Sequence, residues 1–445
     1  MKAQEERKIS LLDLISNSVS LKAFVIFILS MFLLIPAAQI SSLVTERQSI
    51  SRGVEEEIGQ LIAGPQVLAG PILSIPCEFK SATDENGKKA SYIKTLHVLP
   101  ARLDVATDLE TFVKERGIYD AKYYDGSIKM KAVFDSEIEI PSGAVRMLWE
   151  EASINMGVTD QRGIKELVVK MDGENMDITS GLSSTDLMSS GFSFSFPKKP
   201  KKKNESYTLE MDLRLMGTAS MQFIPAGKES HFSMDSDWEH PSYFGNFLPD
   251  DAADSSNHRT WSILELNRTF PQSWLDREMS YYFKNSTFGI RLIDGVDHYQ
   301  KVHRLVRYAI LIIGLTFLVF FIVEILKGYK VHPFQYILVG VALIIFFTLL
   351  IGLVEHISFN LAYGLSALAV TLLVSLYSWN LFGKLRDALI ILALLSSTYL
   401  FMFVTVQMED YALLMGAIGL FVIIAITMYA TRKIDWYAIR LKQEG

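Results

Sequence analysis

The chain has one cysteine, Cys77, among 445 residues, so no disulfide can close within it and no cysteine-rich zinc or iron–sulfur site can be built. It also lacks a strong charge bias. Asp and Glu number 49 against 43 Lys and Arg, and a formal net charge of −6 argues against a polycationic nucleic-acid binder and against a long acidic disordered tail. There is no G-x-S-x-G elbow, no P-loop and no H-E-x-x-H, so the common nucleophile, phosphate and zinc-hydrolase motifs are missing. No cofactor is implied. What the chain has in excess is apolar residues: 50% are hydrophobic and the mean hydropathy is +0.24, above the level of an ordinary soluble protein.

These residues are concentrated in runs. From Ala23 to Ile40 only Ser30, Pro36 and Gln39 interrupt the apolar sequence, and a helix over 21–44 is long enough to cross a hydrocarbon core about 30 Å thick. Five more runs follow a long mixed segment, at 306–326, 334–354, 359–377, 388–406 and 411–430. The pattern predicts one N-terminal and five C-terminal spans, with tails over 1–20 and 431–445. Ala37 and Ala38 would suit a signal-peptide cut, but the charged lead from Met1 to Lys22 is long for a leader and the helical pattern runs on, so a retained span is expected.

Lysine and arginine set the orientation, because positive charges beside span ends stay cytoplasmic. Lys2, Arg7, Lys8 and Lys22, then Lys327 and Lys330, Lys384 and Arg386, and Arg432, Lys433, Arg440 and Lys442 all fall on one side. The turns at Glu355-His356-Ile357-Ser358 and Gln407-Met408-Glu409-Asp410 have neither residue. Both termini are therefore expected in the cytoplasm and residues 45–303 outside it. Lys301, Arg304 and Arg307 oppose this pattern, but they close a long loop, and long loops translocate largely regardless of charge.

Within 45–303 the hydrophobic period is two. Ile128, Met130, Ala132 and Phe134 alternate with polar residues, as do Leu167, Val169 and Met171, Phe192, Phe194 and Phe196, and the odd positions from Tyr207 to Leu215. Turn chemistry at Asp84-Glu85-Asn86-Gly87, Asp125-Gly126, Asp172-Gly173 and Pro225-Ala226-Gly227 separates these stretches. The expected fold class is an α+β membrane protein whose insertion is a β-rich, antiparallel, sandwich-like domain. Thr45 to Ile62 reads as a helical stalk continuing the first span, and a boundary near Pro197 to Asn204 would split the insertion into two lobes.

The remaining motifs weigh toward structure. Pro197 to Lys203 contains five lysines and looks like a nucleic-acid patch, but on an exported segment it reads as a solvated loop, with attraction to anionic head groups as the functional alternative. Ser91-Tyr92-Ile93-Lys94 has S-x-x-K spacing within strand-like sequence, where the two side chains would not share a helical face. His231, His240, His258, His298 and His303 lack metal-ligand spacing, and Cys77 reads as a small buried hydrophobe. Asn204, Asn267 and Asn285 open sequons that matter only in a glycosylating pathway. The candidate functional residues are polar groups in or beside spans, where charge is costly: Glu324, His332, Gln335, Glu355 and His356. Each lies near a span end, within reach of an interface, and none is at mid-membrane, where a transporter's coupling site is expected.

Five stretches stand out in order along the chain: Leu34-Ile35-Pro36 with Glu46-Arg47-Gln48, the run from Gly64 to Pro76, Asp237 to Gly245 with Phe247-Leu248-Pro249, Tyr308 to Leu311 through Phe321 and Glu324, and His332 to Gly340 ending at Glu355-His356-Ile357. Together they resemble the CreD family of bacterial inner membrane proteins. The resemblance implies an envelope-integrity protein of Gram-negative bacteria in the regulon of the Cre two-component system, associated with colicin tolerance and the response to β-lactams. It brings no catalytic residues. The expected function is binding of a protein, lipid or peptidoglycan-related cell-wall partner by the exported domain in a bilayer-embedded protein, without catalysis and without nucleic acid. A transporter or channel formed by the five clustered spans is the alternative, and a membrane-bound enzyme the third. Oligomeric state is not legible.

Overall fold

Apolar runs without helix breakers fold as helices, because in hydrocarbon every backbone N–H must be satisfied within its own segment. The computed structural model describes residues 19–80, 91–116, 119–196, 205–238, 241–250, 257–292, 298–329, 331–408 and 411–432. Its helices are α1 (Val19–Leu61), α2 (Ser280–Asn285), α3 (His298–Arg307), α4 (Ala309–Lys327), α5 (Pro333–Val354), α6 (Phe359–Phe382), α7 (Leu385–Gln407) and α8 (Ala412–Thr431). Among the described residues five are long and apolar enough to cross a membrane, namely α1 from Leu21 and α4 to α7. The helix expected to continue the first span is present, since α1 runs unbroken through Pro36 to Leu61. The expected 306–326 span begins instead at Ala309, because Tyr308 leaves helical geometry and separates α4 from α3. Gly383, in the left-handed region at φ 67°, ends α6 five residues beyond the expected Tyr377.

The chain divides into two compact units, Met1–Ile50 with Val296–Gly445, and Ser51–Gly295. In the first, α4 to α7 pack around Ile312, Phe317, Leu343, Phe347, Leu350 and Leu395, and α1 contributes Leu33, Ala37 and Val44 to the same core. Close approach depends on one missing side chain. A Cβ at Gly340 of α5 would collide with Leu33 of α1 and come within 3.0 Å of Phe317 of α4.

The second unit is β-rich. A seven-stranded sheet runs in the order β15 (His258–Leu264), β13 (Glu229–Ser236), β3 (Arg102–Arg116), β4 (Tyr119–Asp135), β11 (Ser206–Thr218), β7 (Ile164–Met171) and β8 (Glu174–Asn175). A ten-stranded sheet runs β14 (Pro241–Gly245), β17 (Phe288–Leu292), β12 (Ser220–Ile224), β1 (Gln66–Lys80), β6 (Ser153–Val158), β10 (Gly191–Ser195) and β9 (Ile178–Ser180). Off this path β2 (Ser91–Val98) and β5 (Ala144–Met147) pair with β1, and β16 (Ser273–Leu275) with β2. One core draws Leu68, Ile72, Ile154 and Phe194 from the larger sheet and Leu103, Ile128, Leu209 and Trp261 from the smaller. The sheets therefore face each other across a single core, and the two-lobe division is not seen: β11, beyond the supposed boundary, pairs with β4 and β7 before it.

Two details depart from an antiparallel sandwich with turns where the sequence offers them. β1 pairs with β12, and β3 with β13, in parallel. Asp125-Gly126 is not a turn but mid-strand in β4, with Gly126 between Leu109 and Leu215. The glycine is needed for room rather than for a bend, since a Cβ there would lie 2.9 Å from Leu109 Cδ2, and Asp125 pairs with Arg214 at 2.8 Å. Asp172-Gly173 is a turn, with φ of 52° and 86° as an Asp-Gly hairpin requires. Asp84 to Gly87 and the basic loop from Pro197 to Lys203 lie outside the described residues.

Candidate functional site

Of the polar residues singled out in the spans, Glu324 has the most built surroundings. It is buried on the last turn of α4, where one oxygen accepts from the Lys22 ammonium of α1 and from the Val331 backbone N–H at 2.9 Å. The other accepts from the Tyr336 hydroxyl of α5 at 2.8 Å. Glu324 does not snorkel; it ties three helices together. Lys22, counted in the sequence only as an orienting charge, is its counter-ion. At the C-terminal end of α4, Lys327 pairs at 3.4 Å with buried Asp387 of α7, which also accepts from the Tyr329 hydroxyl at 2.8 Å.

The other candidates separate. His332 is the N-cap of α5: its ring accepts from Phe334 N at 3.2 Å, and Gln335 Oε1 accepts from His332 N at 2.8 Å. With Pro333 at the first helical position, this is a capping box that closes the helix start. Glu355, at the opposite end of α5, pairs with Arg47 at 3.7 Å. His356 is exposed. The structure does not bring these five residues into one site.

A second polar cluster, missed in the sequence, lies in the β-rich unit. Ser74 of β1, His97 of β2 and Asn155 of β6 are all buried. Asn155 Oδ1 accepts from the backbone N–H and the hydroxyl of Ser183, each at 2.9 Å, which turns its amide N–H2 toward Ser74 Oγ at 3.0 Å. Ser74 Oγ is 3.0 Å from His97 Nδ1, and His97 Nε2 faces Asp186 Oδ2 at 3.5 Å. With the ring proton on Nε2, the nitrogen that faces Asp186, Nδ1 is left to accept from the Ser74 hydroxyl. Burial pushes the His97 pKa below its ordinary 6.5, despite the opposing pull of Asp186 and Asp276, and the ring is neutral. Burial alone would raise the Asp186 carboxyl, but hydrogen bonds from Arg277 and Ser184, with the His97 ring, hold it below its ordinary value.

Asp186 belongs to a loop, 181–190, between β9 and β10. Its base is closed by Gly181 N donating to Gly191 O at 2.9 Å, and both glycines have positive φ, 92° and 149°. Its tip lies over the cluster. The pocket beneath it has a volume of only about 10 Å³ and is lined by Ser74, His97 and Asn155 with Ile72, Leu182, Leu187 and Met188. His97 Nε2 makes no hydrogen bond there.

The outward side chains of the seven-stranded sheet line two adjoining open grooves of about 660 and 550 Å³ that share Lys129 and Asp212. Seven carboxylates line them against Lys129, Lys131 and Arg214, so these faces are acidic. Among the described residues no group of His, Cys, Asp and Glu is arranged to hold a metal ion. Ser91 and Lys94 are on β2, a strand, so the S-x-x-K spacing has no helical face. Cys77 is buried in β1 and its thiol pKa is raised by burial, which makes it the inert hydrophobe expected.

Apolar helices of spanning length joined to a two-sheet β unit define a multi-span membrane protein with a large β-rich domain. The family described as inner membrane protein CreD matches residues 18–437. Inner membrane protein CreD of Escherichia coli (strain K12) is 31% identical over 421 residues, 92% of each chain. This chain belongs to the CreD family, as the sequence resemblance implied. A solved structure of yeast LTA4 hydrolase in complex with bestatin aligns with 36% of this chain and 26% of that one at 13% identity and a TM-score of 0.18, too low to bear on fold or activity.

Proposed function

We propose that the protein maintains cell-envelope integrity under stress, including exposure to colicins and β-lactams, and that it does so by binding a protein, lipid or cell-wall component through its β-rich unit. In this proposal six helices cross the inner membrane, α8 being the sixth, both termini are cytoplasmic and the β-rich unit is periplasmic. One observation carries it: Lys and Arg recur beside alternate ends of the apolar helices and are missing from the short turns at 355–358 and 407–410, so the long segment between α1 and α4 is read as the exported one. Membership of a family of inner membrane proteins supports the location. The acidic grooves of the seven-stranded sheet are the surface best suited to an extended polar partner.

A transporter built on the helices would draw on Glu324, the buried carboxylate of α4. Its oxygens are already taken up by Lys22, Val331 and Tyr336, which suits a helix tie better than an exchanging ion site. The test is complementation. In a strain without its own copy, the full chain is expected to restore colicin and β-lactam tolerance, whereas a chain with 51–295 replaced by a short linker, and still present in the membrane, is not. Full rescue by the shortened chain would refute a role for the β-rich unit.

A further inference from the structure

Three groups that acyl transfer requires meet in the β-rich unit: the Ser74 hydroxyl, a neutral His97 imidazole 3.0 Å from it, and the Asp186 carboxylate beyond the other ring nitrogen. They come from β1, β2 and the loop 181–190, so only the fold assembles them. We infer that this cluster is a latent acyl-transfer site, with Ser74 as nucleophile and His97 as its base, acting on carboxylic esters that have an apolar acyl group, and that Leu187 and Met188 of the loop 181–190 are its lid. This goes beyond the envelope-binding role and does not depend on it.

The protonation order suits the chemistry. Ser74 Oγ accepts from Asn155, and in the tautomer with the proton on Nε2 its hydroxyl donates to His97 Nδ1. As Ser74 Oγ bonds to the ester carbonyl carbon, that proton passes to Nδ1; the bond from carbon to the alkoxy oxygen then breaks, and the alcohol leaves with the proton from Nδ1. Water reverses the exchange. It gives a proton to Nδ1 as its oxygen bonds to the acyl carbon, and Ser74 Oγ departs and takes that proton back, releasing a carboxylic acid. Asn155 Nδ2 is the donor nearest the carbonyl oxygen as negative charge develops there. Asp186 is a positioning residue: it faces Nε2–H at 3.5 Å, a separation that has to shorten as the imidazolium forms.

A cavity of about 10 Å³ admits at most a water molecule, so substrate entry requires Leu187 and Met188 to swing aside while Asp186 stays held by Arg277 and Ser280. The loop is built for a hinged movement. Glycines at positive φ stand at both its ends, and Leu187 and Met188 seal its tip over the cluster, with Met188 against Gly157. Arg277 Nε and Ser280 Oγ anchor Asp186 at 2.9 and 2.8 Å. The acyl preference follows from Ile72, Leu182, Leu187 and Met188, which form the apolar part of the lining.

The probe is a fluorophosphonate, whose phosphorus bonds to an activated serine oxygen as fluoride leaves. Full-length protein in native membranes is treated, and the modified peptide is identified by mass spectrometry. Ser74 is expected to be the labelled residue, the label is lost in Ser74→Ala, and labelling is faster when Leu187→Ser and Met188→Ser loosen the lid. His97→Gln slows it about 100-fold. Asp186→Asn slows it and also moves the pH at which labelling is half-maximal, which loss of packing alone would not do. Melting temperatures taken on the same samples separate lost chemistry from lost fold. No label on Ser74 in either the wild type or the lid-loosened chain overturns the inference, and so does a label whose rate His97→Gln leaves unchanged in a folded chain.

Discussion

His97 is neutral in the folded chain because burial opposes its charge, whereas in the unfolded chain it takes up a proton near its ordinary pKa of 6.5. Below that pH the unfolded state binds more protons than the folded one. The stabilisation is therefore complete above about pH 6.5 and is lost as the pH falls toward the lower folded value, by at most about 1.4 kcal/mol per unit. Thermal unfolding of the full chain in detergent, from about pH 7.5 to 5.5, is expected to show a falling Tm, and His97→Asn a flatter profile. Equal slopes in the two chains would remove His97 as the cause. None of this was legible from spacing, because residues 74, 97, 155 and 186 share no motif. One signal was present: Leu96-His97-Val98-Leu99 sets a titratable side chain inside an apolar run, where solvation is poor.

At the scale of elements, helices were readable and their partners were not. Hydropathy located the four apolar helices α4 to α7 to within a few residues, since apolar length and backbone satisfaction leave little choice, but the Lys22 contact with Glu324 joins residues 302 apart and has no local signature. His332 and Gln335 drew notice as polar residues beside a span, yet with Pro333 between them they spell a helix start. Asp125-Gly126 misled in the opposite direction, because a glycine wanted for close strand packing looks in sequence like one wanted for a turn. The Lys22 and Glu324 pair gives an element-level prediction. Glu324→Leu leaves the ammonium buried without its partner and should cost about 3–5 kcal/mol, while Lys22→Met with Glu324→Leu removes both charges and should recover much of that loss. Tm values of detergent-purified variants test it: a double variant no more stable than Glu324→Leu would mean that the pair does not tie α1 to α4.

For the whole molecule, the orientation of α1 and α4 decides what the β-rich unit can meet, and the number of spans decides the side of the C-terminus. Five helices of spanning length are found among the described residues, and α8 adds a twenty-residue helix of similar apolar character. With six crossings, Lys22, Lys327, Lys384 and Arg432 all lie on the side of both termini; with five, Arg432 and the basic residues Lys433, Arg440 and Lys442 would be exported against the positive-inside bias. A reporter active only outside the cytoplasm should therefore stay silent after Gly445 and be active when inserted at the exposed turn near Ser142. The same reporter should be silent at Lys384, between α6 and α7, and active at His356, between α5 and α6. Activity after Gly445 together with silence at Lys384 would make the number of crossings odd and return α8 to the membrane surface, while silence near Ser142 would place the β-rich unit in the cytoplasm and leave it no envelope partner to bind.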